Sequence, residues 1–343
     1  MKKFLLNTLW VAIFWFCGLQ LMLAQSAGTM AHDPVMIKYE GTYYLFHTGK
    51  GIQIQSSPNM KSWKQEGQVF DSTPDWVFEL IPKFKNVMWA PDIAQHKDTF
   101  YLYYSVSQFG RNNSAIGVAT NKTLNPNDPD YKWVDHGPVV QSVPGRDMWN
   151  AIDPNLAFDE KGTPWLAFGS FWMGIKIVKL EDNLKKIARK PQTWHTIAAR
   201  HRYWKLDERD AGDAANPELN YDSLYTESTL EAARNTEYGA VEAPFIFKKN
   251  GYYYLFVSWD RCCRGKKSTY KIMVGRSKNI TGPYLDKDGQ DMTYGGGTLI
   301  ADGNENWAAV GHPAAYTFNG TDYLVYHGYD MHDDGKAKLM ISE

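Results

Sequence analysis

Three cysteines in 343 residues are too few for a disulfide-stapled scaffold. Cys17 falls within the first apolar stretch, which leaves the adjacent pair Cys262 and Cys263. Exposed thiols in an exported chain would oxidise, so this pair reads either as a vicinal disulfide or as a buried reduced pair. Charge of one sign is also lacking: 37 Lys and Arg stand against 38 Asp and Glu. With no basic patch, nucleic acid is excluded as a partner. No low-complexity linker divides the chain, and the segments between its strand candidates lack the period of amphipathic helices, which excludes a doubly wound sheet. After residue 24 no apolar run is long enough to span a bilayer. The first 24 residues hold Lys2 and Lys3, an apolar run from Phe4 to Leu23 and then Ala24-Gln25, the form of a cleaved secretory signal. Phe16 ahead of Cys17 excludes a lipoprotein anchor. The expected mature chain, 25–343, is exported to the periplasm, cell surface or medium and is free of the membrane.

What the chain does have is aromatics, 15% of all residues, and a repeat. Five times an acid or polar group precedes a proline and a short apolar strand, followed by a polar turn and an aromatic strand. The copies begin at His32-Asp33-Pro34, Trp89-Ala90-Pro91-Asp92, Ile152-Asp153-Pro154, Val241-Glu242-Ala243-Pro244 and Gly311-His312-Pro313. The turns at Glu40-Gly41, Lys97-Asp98, Lys161-Gly162, Asn250-Gly251 and Asn319-Gly320 make each copy a β-hairpin. Further strand candidates lie between the copies, at Ile52–Ser56, Ile116–Ala119 and Ile272–Arg276, giving about four strands per unit. The pattern predicts an all-β fold, a five-bladed β-propeller in which the first strand of each blade lines a central channel.

Aligned on the proline, the copies bring Asp33, Asp153 and His312 to one position. Glu242 falls one residue earlier than that position and Asp92 one residue after the proline. Taken singly, Asp before Pro is a common turn opener. Recurrence in phase across blades instead predicts that two aspartates, Asp33 and Asp153, with Glu242 and His312 converge on one mouth of the channel. Carboxylates crowded there cannot all ionise freely, and the resulting split in pKa supplies an acid and a base. Trp89, Phe109, Trp149, Phe171 and Trp172 fall in or just after the motifs and suit the apolar faces of sugar rings. A glycosidic bond flanked by two carboxylates is the substrate this arrangement predicts.

The ordered set His32-Asp33-Pro34, Trp89-Ala90-Pro91-Asp92-Ile93, Asn150-Ala151-Ile152-Asp153-Pro154, Gly169-Ser170-Phe171-Trp172, Val241-Glu242-Ala243-Pro244 and Gly311-His312-Pro313 resembles glycoside hydrolase family 43 across nearly the whole mature chain. Asn150 to Pro154, Gly169 to Trp172, and Ser107-Gln108-Phe109-Gly110 with Ser114-Ala115-Ile116-Gly117 resemble its endo-1,5-α-L-arabinanase branch. The resemblance implies an inverting hydrolase of plant cell-wall arabinan or arabino-oligosaccharides, acting as a monomer without an organic cofactor. By it, Asp33 is the general base, Glu242 the general acid, and Asp153 the carboxylate that raises and orients the acid. An inverting pair stands roughly 6.5 to 9.5 Å apart, leaving room for water. The implied substrate contacts are Trp89, Phe109, Gly110, Asn150, Ile152, Ser170, Phe171 and Trp172. The resemblance further implies Ca2+ in the channel, held by His312 and waters, although nitrogen is an unusual ligand for that ion.

Two features depart from compact members of the family. Residues from about 180 to 237 read as an insertion that could wall the cleft. The chain also ends at Glu343: Lys338 to Ile341 can form a third strand of the fifth blade, but no fourth strand is evident, which leaves ring closure open. An endo-arabinanase is expected first, and an arabinofuranosidase, exo-arabinanase or β-xylosidase of the same family second. A non-catalytic sugar-binding propeller stands third, since it has no need of all three carboxylates.

Overall fold

A computed structural model describes residues 25–189, 194–200 and 239–343. The expected signal, 1–24, and residues 190–193 and 201–237 of the expected insertion lie outside the described residues. Five four-stranded antiparallel sheets form a five-bladed β-propeller. Blade 1 contains β2 (Val35–Tyr39), β3 (Thr42–His47), β4 (Gln53–Ser57) and β5 (Lys64–Gln68). Blade 2 contains β6 (Trp89–His96), β7 (Thr99–Ser107), β8 (Ser114–Asn121) and β9 (Val134–Ser142), reached through a short helix, α1 (Asp75–Leu80). Blade 3 is β10 (Asn155–Phe158), β11 (Pro164–Phe168), β12 (Ile175–Lys179) and β13 (Trp194–Ala198). Blade 4 is β14 (Val241–Lys249), β15 (Tyr252–Trp259), β16 (Lys271–Ser277) and β17 (Thr298–Ala301). In blade 5, β18 (Trp307–Phe318), β19 (Thr321–Asp330) and β20 (Ala337–Ser342) are joined by β1 (Gln25–Met30).

The fourth strand of blade 5 therefore comes from residues 25–30, with Gln25 opposite Ile341 and Met30 opposite Lys338. Blade 3 is completed from within the expected insertion: Trp194 pairs with Val178 and His195 with Ile177. The predicted hairpin turns form as their residues demand. Asn250 and Gly251 both have positive φ, 50° and 70°, as do Asn319 and Gly320 at 52° and 88°, the requirement of a two-residue turn that matches strand twist. Apolar side chains fill the wedges between blades. Val118, Leu156, Leu166 and Phe168 pack between blades 2 and 3, and Ile177, Val241, Leu255 and Val257 between blades 3 and 4.

Around the channel the residue before each proline adopts a left-handed conformation: φ is 55° at Asp33, 44° at Ala90, 57° at Asp153, 55° at Ala243 and 58° at His312. Such φ is disfavoured for any residue with a Cβ, so something must hold it. In each case the holder is a side chain of the preceding blade. Thr48 Oγ1 accepts Ala90 N–H at 2.8 Å, Ser105 Oγ accepts Asp153 N–H at 3.0 Å and Asp153 Oδ2 accepts Ala243 N–H at 3.1 Å. Ser258 Oγ accepts His312 N–H at 2.8 Å, and His327 Nδ1 accepts Asp33 N–H at 3.1 Å, which completes the circle. Further from the axis, Asp92 Oδ2 accepts Leu156 N–H at 2.7 Å, Asn155 Oδ1 accepts Ile246 N–H at 2.8 Å and Tyr316 Oη accepts Met36 N–H at 2.9 Å.

Because β1 closes the sheet of blade 5 against β20, a chain that begins at residue 31 should open the ring there. We expect the melting midpoint to fall by about 4 °C or more, the scale of a loss of one to two kcal/mol in a domain of this size. A midpoint unchanged to within about a degree in a scanning calorimeter would deny β1 any closing role.

Candidate active site

The motifs predicted to converge do so, at a cavity of about 540 Å³ lined by Asp33, Asp153, Glu242 and His312. Trp89, Phe109, Gly110, Ile152, Ser170, Phe171 and Trp172 line it as well. Two expectations are corrected, for Asn150 and Trp149. Asn150 is buried behind the wall, its Oδ1 accepting from Ser114 Oγ at 2.6 Å, so it ties a loop to β8 rather than facing a sugar. Trp149 is buried and packs on Trp194, their ring centroids 5.1 Å apart. Asp92 points away from the mouth into the seam between blades 2 and 3, where burial pushes its carboxyl up to about 6.

Asp33 is gripped from three sides. Thr48 Oγ1 donates to Oδ2, His32 Nδ1 lies 2.9 Å from the same oxygen, and His312 Nδ1 lies 3.1 Å from Oδ1. Burial alone would raise this carboxyl, but the charge and hydrogen bonds of His32 and His312 outweigh it and hold Asp33 well below the usual carboxylate range. The pairing is mutual. Burial would lower the His312 imidazole, yet the Asp33 carboxylate first, with Asp153 and Glu242, brings it up to about 9. His327 is different. Burial holds it well below its ordinary value, and as a neutral ring whose Nδ1 accepts Asp33 N–H it cannot also donate from that atom to the carboxylate 3.7 Å away.

Glu242 and Asp153 form the opposite electrostatic case. Burial raises both, and for Asp153 the neighbouring Glu242 and Asp33 add to it. Glu242 has two donors, Ser170 Oγ to Oε2 at 2.6 Å and Tyr270 Oη to Oε1 at 2.7 Å, both of which favour its ionised form. Burial keeps the Tyr270 phenol protonated, so it stays a donor. Asp153 accepts one backbone N–H. The pair thus titrates as a unit that retains a proton above the ordinary carboxylate range, while Asp33 across the mouth is ionised.

Residues not expected to contact substrate complete the wall. Thr48, His32, Arg261, Cys262, Cys263 and Arg264 line the cavity, and Tyr270 reaches it from the connection between β15 and β16. Of these, His32 stood in a quoted motif and Cys262 and Cys263 stood out by their rarity; Tyr270 carried no signal. Phe109 is 78% exposed at the rim, an unusual position for a phenylalanine. Phe171 and Trp172 hold positive φ, 57° and 41°, in a loop fixed by Phe171 N–H donating to Val241 O at 2.9 Å.

Residues 28–340 match the family described as Glycosyl hydrolases family 43. The chain belongs to that family. It is similar to an extracellular exo-α-(1→5)-L-arabinofuranosidase of Cellvibrio japonicus, 48% identical over 331 residues that cover 95% of this chain and 88% of that protein. It is also similar to an extracellular endo-α-(1→5)-L-arabinanase of Bacillus subtilis, 39% identical over 322 residues, covering 93% and 86%. Among solved structures, a Cellvibrio cellulosa α-L-arabinanase complexed with arabinohexaose matches with a TM-score of 0.80 and 48% identity over 91% of each chain. This glycosyl hydrolase thus carries its three carboxylates at the channel mouth with their protonation states already divided.

The arrangement fits the expected calcium poorly. His312 Nδ1 lies 3.1 Å from Asp33 Oδ1, so that ring atom already has a partner. Nor do the described side chains set around it the six to eight oxygens that Ca2+ prefers. No step of the chemistry below is routed through a metal.

The donors on Glu242 give a pH prediction. Tyr270→Phe removes the O–H that stabilises the carboxylate, so the folded pKa of Glu242 should rise further. Its protonated form then persists to higher pH, and the alkaline limb of kcat/KM should move upward. A limb that stays in place or moves down would show that the Tyr270 hydroxyl does not act on Glu242.

Proposed function

We propose that this chain hydrolyses α-1,5-L-arabinofuranosyl linkages of arabinan and arabino-oligosaccharides, with inversion at the anomeric carbon. The reading is carried by the division of protonation states across one cavity: ionised Asp33 on blade 1 faces the proton-retaining pair of Asp153 and Glu242 on blades 3 and 4. An ionised carboxylate can draw a proton from an attacking water, and a protonated one can give its proton to the leaving oxygen. Asp33 is then the base and Glu242 the acid. As Glu242 releases its proton, charge develops where Ser170 and Tyr270 already aim their O–H groups, so no dipole has to reorganise. Asp153 shares the burial and the proton of the acid, and its hold on Ala243 N–H fixes the backbone next to Glu242. His312, positive beside Asp33, keeps the base ionised despite burial. Trp89, Phe109, Phe171 and Trp172 offer rings to the C–H faces of the furanoses.

The names of the relatives and the arabinohexaose complex support the substrate class, and the word extracellular in two of those names supports export with residues 1–24 as the signal. The mode of attack has two supported readings. The motifs around Asn150 and Gly169 favour endo action, as does the relative at 39% identity. The relative at 48% is named as exo-acting, and that higher identity tips the reading towards release from chain ends.

Asp33→Asn and Glu242→Gln should each lower kcat on linear arabinan by about 10² to 10⁴-fold, the usual contribution of a general base or acid. Near wild-type turnover in either variant would remove that residue from its role. Early digestion of debranched arabinan should yield one small product with little loss of viscosity. A spread of oligosaccharides with rapid thinning would reverse the choice in favour of endo cleavage.

A further inference from the structure

Cys262 and Cys263 are joined by a disulfide in the connection between β15 and β16 and line the cavity. Cys262 packs against Tyr270, Ala309 and Tyr329, whereas Cys263 is exposed. Nothing in the hydrolysis uses sulfur. A continuous chain of close polar contacts nonetheless leads from this turn to the proposed base. Cys263 N–H donates to Tyr329 Oη at 2.7 Å, Tyr329 Oη lies 2.9 Å from His32 Nε2, and His32 Nδ1 lies 2.9 Å from Asp33 Oδ2. Burial keeps the Tyr329 phenol protonated, within hydrogen-bond reach of Nε2. His32 is also clamped by stacking on His327, with centroids 4.2 Å apart, and His327 in turn accepts Asp33 N–H.

The turn depends on the cross-link. Cys263 holds φ of 65°, a conformation costly to a residue with a Cβ. A bond between neighbouring sulfurs confines both residues to one small ring. With that bond open, Cys263 is free to return to negative φ, and its N–H turns away from Tyr329. The hydroxyl at the head of the chain then loses its anchor.

We propose that the Cys262–Cys263 disulfide is a positioning element for the base: through Tyr329 and His32 it fixes the carboxylate of Asp33, and its reduction slows turnover. The proposal rests on Asp33 acting as the base. The switching step balances with a dithiol such as dithiothreitol. The reagent gives two electrons and two protons and closes to its own cyclic disulfide, while the Cys262–Cys263 bond breaks to two thiols; oxidised dithiothreitol reverses both changes.

The test compares kcat and KM on a linear arabino-oligosaccharide for the oxidised, reduced and re-oxidised enzyme, with the thiol state checked by mass. Reduction should lower kcat about tenfold or more, the scale of a small misplacement of a catalytic group, with KM within about twofold and full recovery on re-oxidation. Tyr329→Phe, which removes the middle hydroxyl, should show the same fall while oxidised and no further fall on reduction. Unchanged kcat in the fully reduced enzyme overturns the proposal, as does a Tyr329→Phe variant that still responds to reductant. A change confined to KM also overturns it, since that would make the disulfide a wall for the sugar and nothing more. Should the reduced protein melt early, the Tyr329→Phe measurement in the oxidised state decides alone. Undiminished activity of Asp33→Asn in the oxidised enzyme would instead sink the assignment of the base. Loss of activity there, beside a redox-indifferent wild type, sinks this proposal and leaves the base in place.

Discussion

The structure hangs on five backbone N–H groups. At each blade's entry to the channel the residue before a proline is held at positive φ, and its N–H reaches a side chain of the blade before. Proline cannot donate to a strand ladder, so it marks a bulge or a strand start, and bulges re-aim side chains. In blades 2, 4 and 5 the ladder register shifts at this point. The same local event therefore joins neighbouring blades and turns a side chain towards the axis. Function occupies the joints of the ring because that is where the backbone is bent and over-determined.

The joints also set the electrostatics. Asp33 and Glu242 are both buried carboxylates, yet one is pulled down and the other pushed up. The difference lies in their neighbours: two imidazoles touch Asp33, whereas Glu242 has neutral hydroxyl donors and shares its surroundings with Asp153. Thr48 shows how closely structure and chemistry are joined, since one hydroxyl donates to Asp33 and accepts Ala90 N–H from the next blade. Asp153 does likewise, as a member of the acid pair and the acceptor that locks Ala243.

Much of this was legible in the sequence because a repeat keeps its phase. The proline marks the same point of each blade, and the carboxylates fall beside it. The fifth blade's missing strand was not legible: Gln25 to Met30 has neither apolar alternation nor a neighbour in sequence, and its partner strand lies at the far end of the chain. Asn150 was misread because a polar residue in a motif looks the same whether it faces a sugar or braces a loop. Asp92, one place beyond the proline, had already turned towards the next blade. Tyr270 lies in a connection without repeat or motif, so only three-dimensional contact links it to Glu242.

The offset of Glu242 from the other acids has a structural reason. Each blade offers the mouth two consecutive residues ahead of its proline: His32 and Asp33, Trp89 and Ala90, Ile152 and Asp153, Glu242 and Ala243, Gly311 and His312. The second of each pair takes the strained left-handed φ, and the first stays in the preceding strand geometry or its approach. Placing the acid first on blade 4 sets it in the ladder opposite Ser258, with a bridge to Ser170, while small Ala243 takes the strained slot. Blade 5 makes the complementary choice. A Cβ on Gly311 would stand 2.0 Å from Tyr270 Cδ1, so the absence of a side chain there is what admits the phenol that donates to Glu242. Blade 4 keeps only a methyl at its second position and blade 5 no side chain at its first, and the acid with its donor fills the space between them.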